Sequence, residues 1–221
     1  MKRIPTVELL DSDAGTPAEV AASLSDLRSF NRWFGGVSTT QRMIKQVASA
    51  TAQSSLTLLE VASGSGYVPQ TVRDHLRGSG VRLKITLLDR APSHLRGDAP
   101  AVVADAVSIP FRDASFDLVS CSLFAHHLAT DQLMQFAREA LRVCRVAVLI
   151  NDLIRAPLHL ALVYAGLPLY RSRLTRHDAP ASVRQAYTRK EMRAMLLQAG
   201  AAKVEISRHY LYRMGAIAWK H

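Results

Sequence analysis

The chain has 221 residues, 48% of them apolar and 21% charged, a balance that suits one compact domain with a core of its own. Met1-Lys2-Arg3 runs into Ile4-Pro5 and then acidic residues without a continuous apolar stretch, which argues against a secretory signal, and the greasiest run, Ala156 to Tyr170, is too short to cross a bilayer. A cytoplasmic protein without a membrane span is expected; its net charge of +10 would suit a polyanionic partner, yet the charge is mostly arginine spread along the chain and does not choose a substrate.

The first helix is well marked. Thr16 is placed to cap it, with Pro17 at the first helical position and Glu19 completing a capping box. Val20, Leu24 and Leu27 follow at helical spacing until Gly35-Gly36, and a second helix covers roughly Thr39 to Ala52. Residues 1–55 are therefore expected to form an N-terminal helical cap. From Leu56 the pattern changes to short apolar runs alternating with amphipathic helices, the mark of a parallel α/β sheet. The runs are Thr57–Val61, Leu83–Leu88, Ala101–Ala104, Phe116–Ser122 and Val143–Ile150. Between the last two lies a helix opened by Thr130 or Asp131, with Leu133, Phe136, Ala137, Ala140 and Leu141 on one face. A later helix opens with Thr188 and Glu191, buries Met192, Met195, Leu196 and Ala199, and stops at Gly200. Lys203–Ser207 and Met214–Trp219 are joined too closely for a helical crossover, so they should pair antiparallel. The expected fold is α/β, a doubly wound, mostly parallel seven-stranded sheet with an antiparallel last strand, spanning 56–221. Cys121 and Cys144 fall inside strands and read as buried thiols of a reducing compartment, and no Cys/His spacing resembles a zinc site, so no metal is expected.

The strongest local signal is Leu58-Leu59-Glu60-Val61-Ala62-Ser63-Gly64-Ser65-Gly66. An apolar strand ends near an acidic residue and runs into a small-residue loop, with a helix starting near Pro69. Small residues let the backbone approach a ligand, and the helix start favours electron-rich groups. A dinucleotide fingerprint needs a third glycine, where Pro69 stands instead, and no Walker Gly-Lys-Ser/Thr follows.

This stretch resembles the first motif of the class I S-adenosylmethionine-dependent methyltransferases, with Ala62 in place of the first glycine; an alanine suits the loop if its φ is negative. The resemblance implies that Glu60, Ala62, Ser63, Gly64 and Gly66 hold S-adenosylmethionine. It implies that Asp89, with Arg90 beside it, accepts from the ribose hydroxyls, and that Asp105-Ala106 meets the adenine. The stretch Ile109 to Val119 looks like the family's approach to the fourth strand, at whose end Ser122 would border the cofactor.

Past that strand come His126 and His127, expected to lie beside the methyl group, where a histidine can take a proton from a phenol-like acceptor near neutral pH. Asn151 and Asp152 end the fifth strand and either anchor the acceptor or cap a helix beginning near Leu153; Trp33 is a lid candidate. The insert 153–187 is expected to shape the acceptor pocket. Its first half is apolar (Leu158, Leu160, Leu162), and its second half is basic, with Arg173 and His177 as candidate acceptor contacts. That combination suits an aromatic or lipid-like acceptor. The insert also resembles methyltransferases encoded beside type III polyketide synthases, which implies a phenolic, quinone-like or polyketide acceptor methylated on oxygen or carbon. An RNA methyltransferase, motivated by the charge, and a dinucleotide-binding module of the same fold are the alternatives. Oligomeric state is not legible in the sequence.

Overall fold

A computed structural model describes residues 1–10, 15–92, 95 and 99–221. Seven strands form one sheet in the order β3-β2-β1-β4-β5-β7-β6. They are β1 (Ser55–Val61), β2 (Arg82–Asp89), β3 (Ala101–Val103), β4 (Phe116–Ser122), β5 (Cys144–Leu153), β6 (Lys203–His209) and β7 (Arg213–Trp219). The first five run parallel, while β7 is antiparallel to both of its neighbours. The expected doubly wound sheet is thus present.

The continuous apolar runs explain why β1 and β4 lie at its centre. Leu58, Leu59, Leu118 and Val119 are fully buried, so both faces of these strands are covered, as a parallel sheet requires. On one face α2 (Gly36–Thr51) and α3 (Tyr67–Leu76) pack Met43, Ile44, Val47, Val72 and Leu76 onto Leu58, Leu87, Leu118 and Leu149. On the other, α4 (Thr130–Val143) and α7 (Arg189–Gln198) pack Phe136, Ala140, Met192 and Leu196 onto Leu59, Val119 and Val148. Strand order reverses between β1 and β4, the switch point where sheets of this kind take ligands at the carboxyl ends of their strands.

Three local expectations change. The helix after the double glycine begins at Gly36, with Gly35 at φ +83°, and its apolar face is part of the sheet's core rather than a separate cap. It is α1 (Pro17–Trp33), closed by the expected Thr16–Glu19 capping box, that lies outside, with only Ser23, Asp26 and Asn31 buried. The fifth strand runs on to Leu153, because Asn151, Asp152 and Leu153 pair with Gly215, Met214 and Arg213 of β7. The following helix, α5 (Pro157–Gly166), starts at Pro157 instead of near Leu153.

The insert forms α5 and α6 (Arg173–Gln185). None of the residues of α5 is buried, and Leu158 and Leu162 stand open to solvent rather than walling a pocket. Helix α6 is tied to α1: the Asp26 carboxylate accepts from the Arg171 and Ser172 amides, and Ser172 donates to the Glu19 carbonyl. Across α6 lies an N-terminal arm, residues 1–10. Its Leu9 and Leu10 amides donate to the Asp178 carboxylate at 2.8 and 3.0 Å, and Arg3 donates to the carbonyls of Gln185, His126 and Leu128.

Candidate active site

At the switch point β1 delivers Glu60 and then turns sharply. The turn needs three left-handed backbones, Ala62 at φ +51°, Gly64 at +52° and Gly66 at +70°. The negative φ on which the alanine was expected to fit is not what the chain adopts; Ala62 takes the glycine conformation at the cost of strain. The loop is closed onto β2 by the Ser63 amide, which donates to the Leu88 carbonyl at 3.1 Å. Asp89 accepts from the Gly64 amide at 2.8 Å and the Ala91 amide at 2.9 Å, so loop and carboxylate share one locality. A Cβ at Gly66 would strike Leu87 Cδ1 and Gln70 Nε2 at 2.7 Å, whereas a Cβ at Gly64 would meet nothing within 4 Å. One glycine is demanded by packing; the other borders open space.

Glu60 is buried beside Ser120, whose hydroxyl donates to it. Burial raises its pKa to about 7, against the pull of the Ser120 hydroxyl. Ser122 lies near enough to act on the same carboxyl, but its Oγ makes no hydrogen bond of proper geometry. Beyond β3 the Ala104 amide donates to the Asp89 carbonyl at 3.1 Å. Asp105 therefore follows one residue past Asp89's backbone partner, exposed, with its carboxylate accepting from the Val107 amide at 3.0 Å. Arg90 is exposed and Ala106 is part of the core.

Six side-chain atoms among the described residues are buried without a hydrogen-bond partner: Asn31 Oδ1, Thr39 Oγ1, Ser63 Oγ, Ser122 Oγ, Asn151 Oδ1 and Arg213 Nη1. Ser63, Ser122, Asn151 and Arg213 belong to the carboxyl ends of β1, β4 and β5 and the adjoining start of β7. Asn31 and Thr39 flank the α1–α2 junction, which Asn151 joins by donating to the Gly36 carbonyl at 2.7 Å and to Thr40 Oγ1 at 2.8 Å. Buried polar groups are almost always satisfied, and this many unsatisfied ones near the carboxyl ends of the strands have the chemistry of a polar-ligand site. An adenosine with an amino-acid tail, rich in donors and acceptors, fits it.

The histidine pair occupies a tight turn after β4. His126 is 2% exposed; its Nδ1 is 2.6 Å from Asp152 Oδ1, its backbone amide donates to Asp152 Oδ2, and its Nε2 is 3.6 Å from Glu8 Oε1. Burial opposes its charge, but Asp152 and Glu8 outweigh burial and push the pKa up to about 10. So held, the ring favours its protonated form, and a base or a ligand at this position would first have to give up that proton. His127 is partly exposed, with Nε2 3.9 Å from Glu8 Oε2. It lines a cleft of about 340 Å³ with Pro5, Thr6, Val7, Glu8 and Gln185.

The structure separates the other expected acceptor contacts from this cleft. Asn151 spends its amide on α2, and Asp152 is engaged by His126. Arg173 is exposed and paired with Glu19 at 3.0 Å, and His177 contacts Asp178 at 2.8 Å. Trp33 is 67% exposed, a surface residue with the Arg32 guanidinium over its ring. Sequence reading missed Glu8, Ser182, Gln185 and Arg213. Glu8 sits in an arm without periodicity, yet its carboxylate accepts from Ser182 Oγ at 2.6 Å and Gln185 Nε2 at 2.7 Å. Burial lowers the Arg213 pKa to about 10, opposed by Asp152.

Residues 59–149 match the family described as Methyltransferase domain. The plantazolicin methyltransferase BpumL, in complex with a monoazolic desmethylPZN analog and SAH, is 12% identical, with a TM-score of 0.71 over 97% of this chain and 94% of that one. A SAM-dependent methyltransferase from Aquifex aeolicus is 17% identical, with a TM-score of 0.55 over 75% of this chain and 82% of that one. The CMeT domain of the citrinin polyketide synthase is 14% identical, with a TM-score of 0.59 over 81% of this chain and 50% of that domain's chain. No curated protein matches. Residues 59–149 are thus similar to a methyltransferase domain, and the fold is the one that S-adenosylmethionine-dependent methyltransferases share.

Proposed function

We propose that the chain is an S-adenosylmethionine-dependent methyltransferase acting on a small aromatic or lipid-like acceptor, on oxygen or carbon, at the cleft beside His127. The observation that carries the cofactor reading is the group of unsatisfied buried polar atoms near the carboxyl ends of the strands, with Ser63 among them in the loop that Asp89 closes through the Gly64 amide. In this reading Ser63, Gly64 and Asp89 hold the cofactor's polar groups, Asp105 meets its base, and Glu60 offers a buried carboxyl toward its cationic end. S-adenosylmethionine supplies an electrophilic methyl group when bound. The chain's own part is to hold donor and acceptor in line, which supplies much of the acceleration of such a displacement. His127 faces the acceptor, while Asp152 and His126 position the turn that carries it.

A phenolic, quinone-like or polyketide acceptor is supported by neighbours in fold that include the plantazolicin methyltransferase and the CMeT domain of the citrinin polyketide synthase. The buried free thiols Cys121 and Cys144 fit a reducing compartment and so a cytoplasmic site of action. Among the described residues no helix is long and apolar enough to cross a membrane.

Calorimetry with S-adenosylmethionine, its demethylated product and NAD tests the cofactor site: the first two should bind and NAD should not. Labelled methyl donor should then mark phenolic or quinone extracts. Label entering ribosomal or transfer RNA instead would overturn the small-molecule assignment.

A further inference from the structure

The three groups that meet below the histidine turn have the composition of a metal centre. We infer that Glu8, His126 and His127 form a binding site for one divalent transition-metal ion of the zinc class. Each offers a ligand atom, a carboxylate oxygen or a ring nitrogen, and these atoms all lie within 4.8 Å of one another. Two pairs are already close, with His126 Nε2 3.6 Å from Glu8 Oε1 and His127 Nε2 3.9 Å from Glu8 Oε2. Metal–ligand distances of about 2.0–2.2 Å set ligand atoms somewhat more than 3 Å apart in a tetrahedron, so a small contraction around an ion completes the geometry. The two rings already lie against each other, with centroids 4.2 Å apart and planes tilted by 35°.

The groups behind these ligands strengthen the assignment. Metal-binding histidines commonly give their other ring nitrogen to a carboxylate, which fixes the tautomer and aims the ligand nitrogen. His126 does this with Asp152 at 2.6 Å. Glu8 Oε1 is fixed in turn by Ser182 and Gln185 at 2.6 and 2.7 Å. Both histidine ligands come from one turn and the carboxylate from the N-terminal arm, so the ion would pin arm to turn. Imidazole and carboxylate suit zinc, cobalt(II) or nickel(II), and without a thiolate the site does not select copper(I). Three protein ligands leave a position open. Glu8 and His127 line the cleft of about 340 Å³, so that position faces it and would take an oxygen of a cleft ligand. This inference does not depend on the methyl-transfer reading, because ion binding is read without any acceptor.

The test is a cobalt(II) titration of the full chain after treatment with chelator, followed by visible ligand-field absorption and by calorimetry. One ion per chain should bind saturably, and equimolar zinc should displace it. His127→Ala, which alters a partly exposed ring and should leave circular dichroism unchanged, should weaken binding at least tenfold. Glu8→Gln should do the same, and Asp152→Asn should weaken it 10- to 100-fold through His126. No saturable uptake by the stripped wild-type chain would overturn the site. So would uptake that His127→Ala leaves unchanged, since the ion would then be bound elsewhere.

Discussion

Ala62 shows how much a single dihedral decides. Its φ of +51° costs an alanine about 1 kcal/mol or more, and the strain sits in the loop proposed to hold the cofactor. Ala62→Gly removes that strain while adding about 0.5 kcal/mol of freedom to the unfolded chain. The net expectation is a gain of about 0.5–1 kcal/mol, which raises Tm by about 2 °C in a chain of this size. A thermal melt reads it directly, and an unchanged or lowered Tm would show that the loop is not strained there. The two glycines beyond it should separate stability from binding. Gly66→Ala drives a Cβ into Leu87 and should destabilise by about 2 kcal/mol. Gly64→Ala meets nothing and should cost about 1 kcal/mol through its φ alone, yet lower S-adenosylmethionine affinity at least tenfold by filling the space the ligand's tail would use. Wild-type affinity in Gly64→Ala would move the cofactor away from this loop. At this scale the sequence was legible where a residue type is demanded by its conformation, as at Gly64 and Gly66. It misled at Ala62, because a strained φ is imposed by the strands on either side and leaves no trace in the residue's identity. The partners of His126 left no local trace either, since Glu8 and Asp152 arrive from distant parts of the chain.

Among the elements, strands and helices announced themselves and contacts between distant segments did not. The capping boxes at Thr16–Glu19 and Thr188–Glu191 were readable because a cap is a local bargain of side chain and backbone. The reach of β5 to Leu153 was not, because its last residues are extended by pairing with β7 rather than by their own pattern. Least legible was the arm 1–10, which has no periodicity and gains its order from α6. Asp178 is its anchor, accepting from the Leu9 and Leu10 amides. Hydrogen bonds to a charged group are each worth about 1.5–3 kcal/mol. Asp178→Ala should therefore release the arm without unfolding the sheet. Hydrogen exchange by mass spectrometry should show faster exchange over residues 1–10 and unchanged protection in β1 and β4. Persistent protection of the arm would transfer the anchoring role to Glu8 and its partners Ser182 and Gln185.

For the molecule as a whole, the central question is why a sheet with an apolar core carries a carboxyl at its switch point. Glu60 is buried and its pKa is raised from the usual carboxylate range to about 7, by desolvation first. In the unfolded chain it titrates near 4.5, so between these values the folded state holds a proton that the unfolded state has released. Stability then falls as pH rises: the contribution of neutral Glu60 is fully present below about 4.5 and is lost as pH passes through about 7. The lowered carboxylates Asp117 and Glu191 act with the opposite sign, losing their contribution as pH falls into the acid range. Glu60→Gln keeps a partner for Ser120 but cannot ionise, so its urea-unfolding stability should be flatter than wild type between pH 5 and about 7.5. A cationic ligand placed beside Glu60 would reverse the desolvation argument, since a nearby positive charge favours the ionised carboxyl. Binding of S-adenosylmethionine near pH 7 should therefore expel a proton, seen as a buffer-dependent calorimetric enthalpy, and affinity should rise with pH across that range. The uncharged-sulfur product should show less of both effects, and Glu60→Gln should show neither. If proton release persists unchanged in Glu60→Gln, the carboxyl at the switch point is structural and the cation is sensed elsewhere.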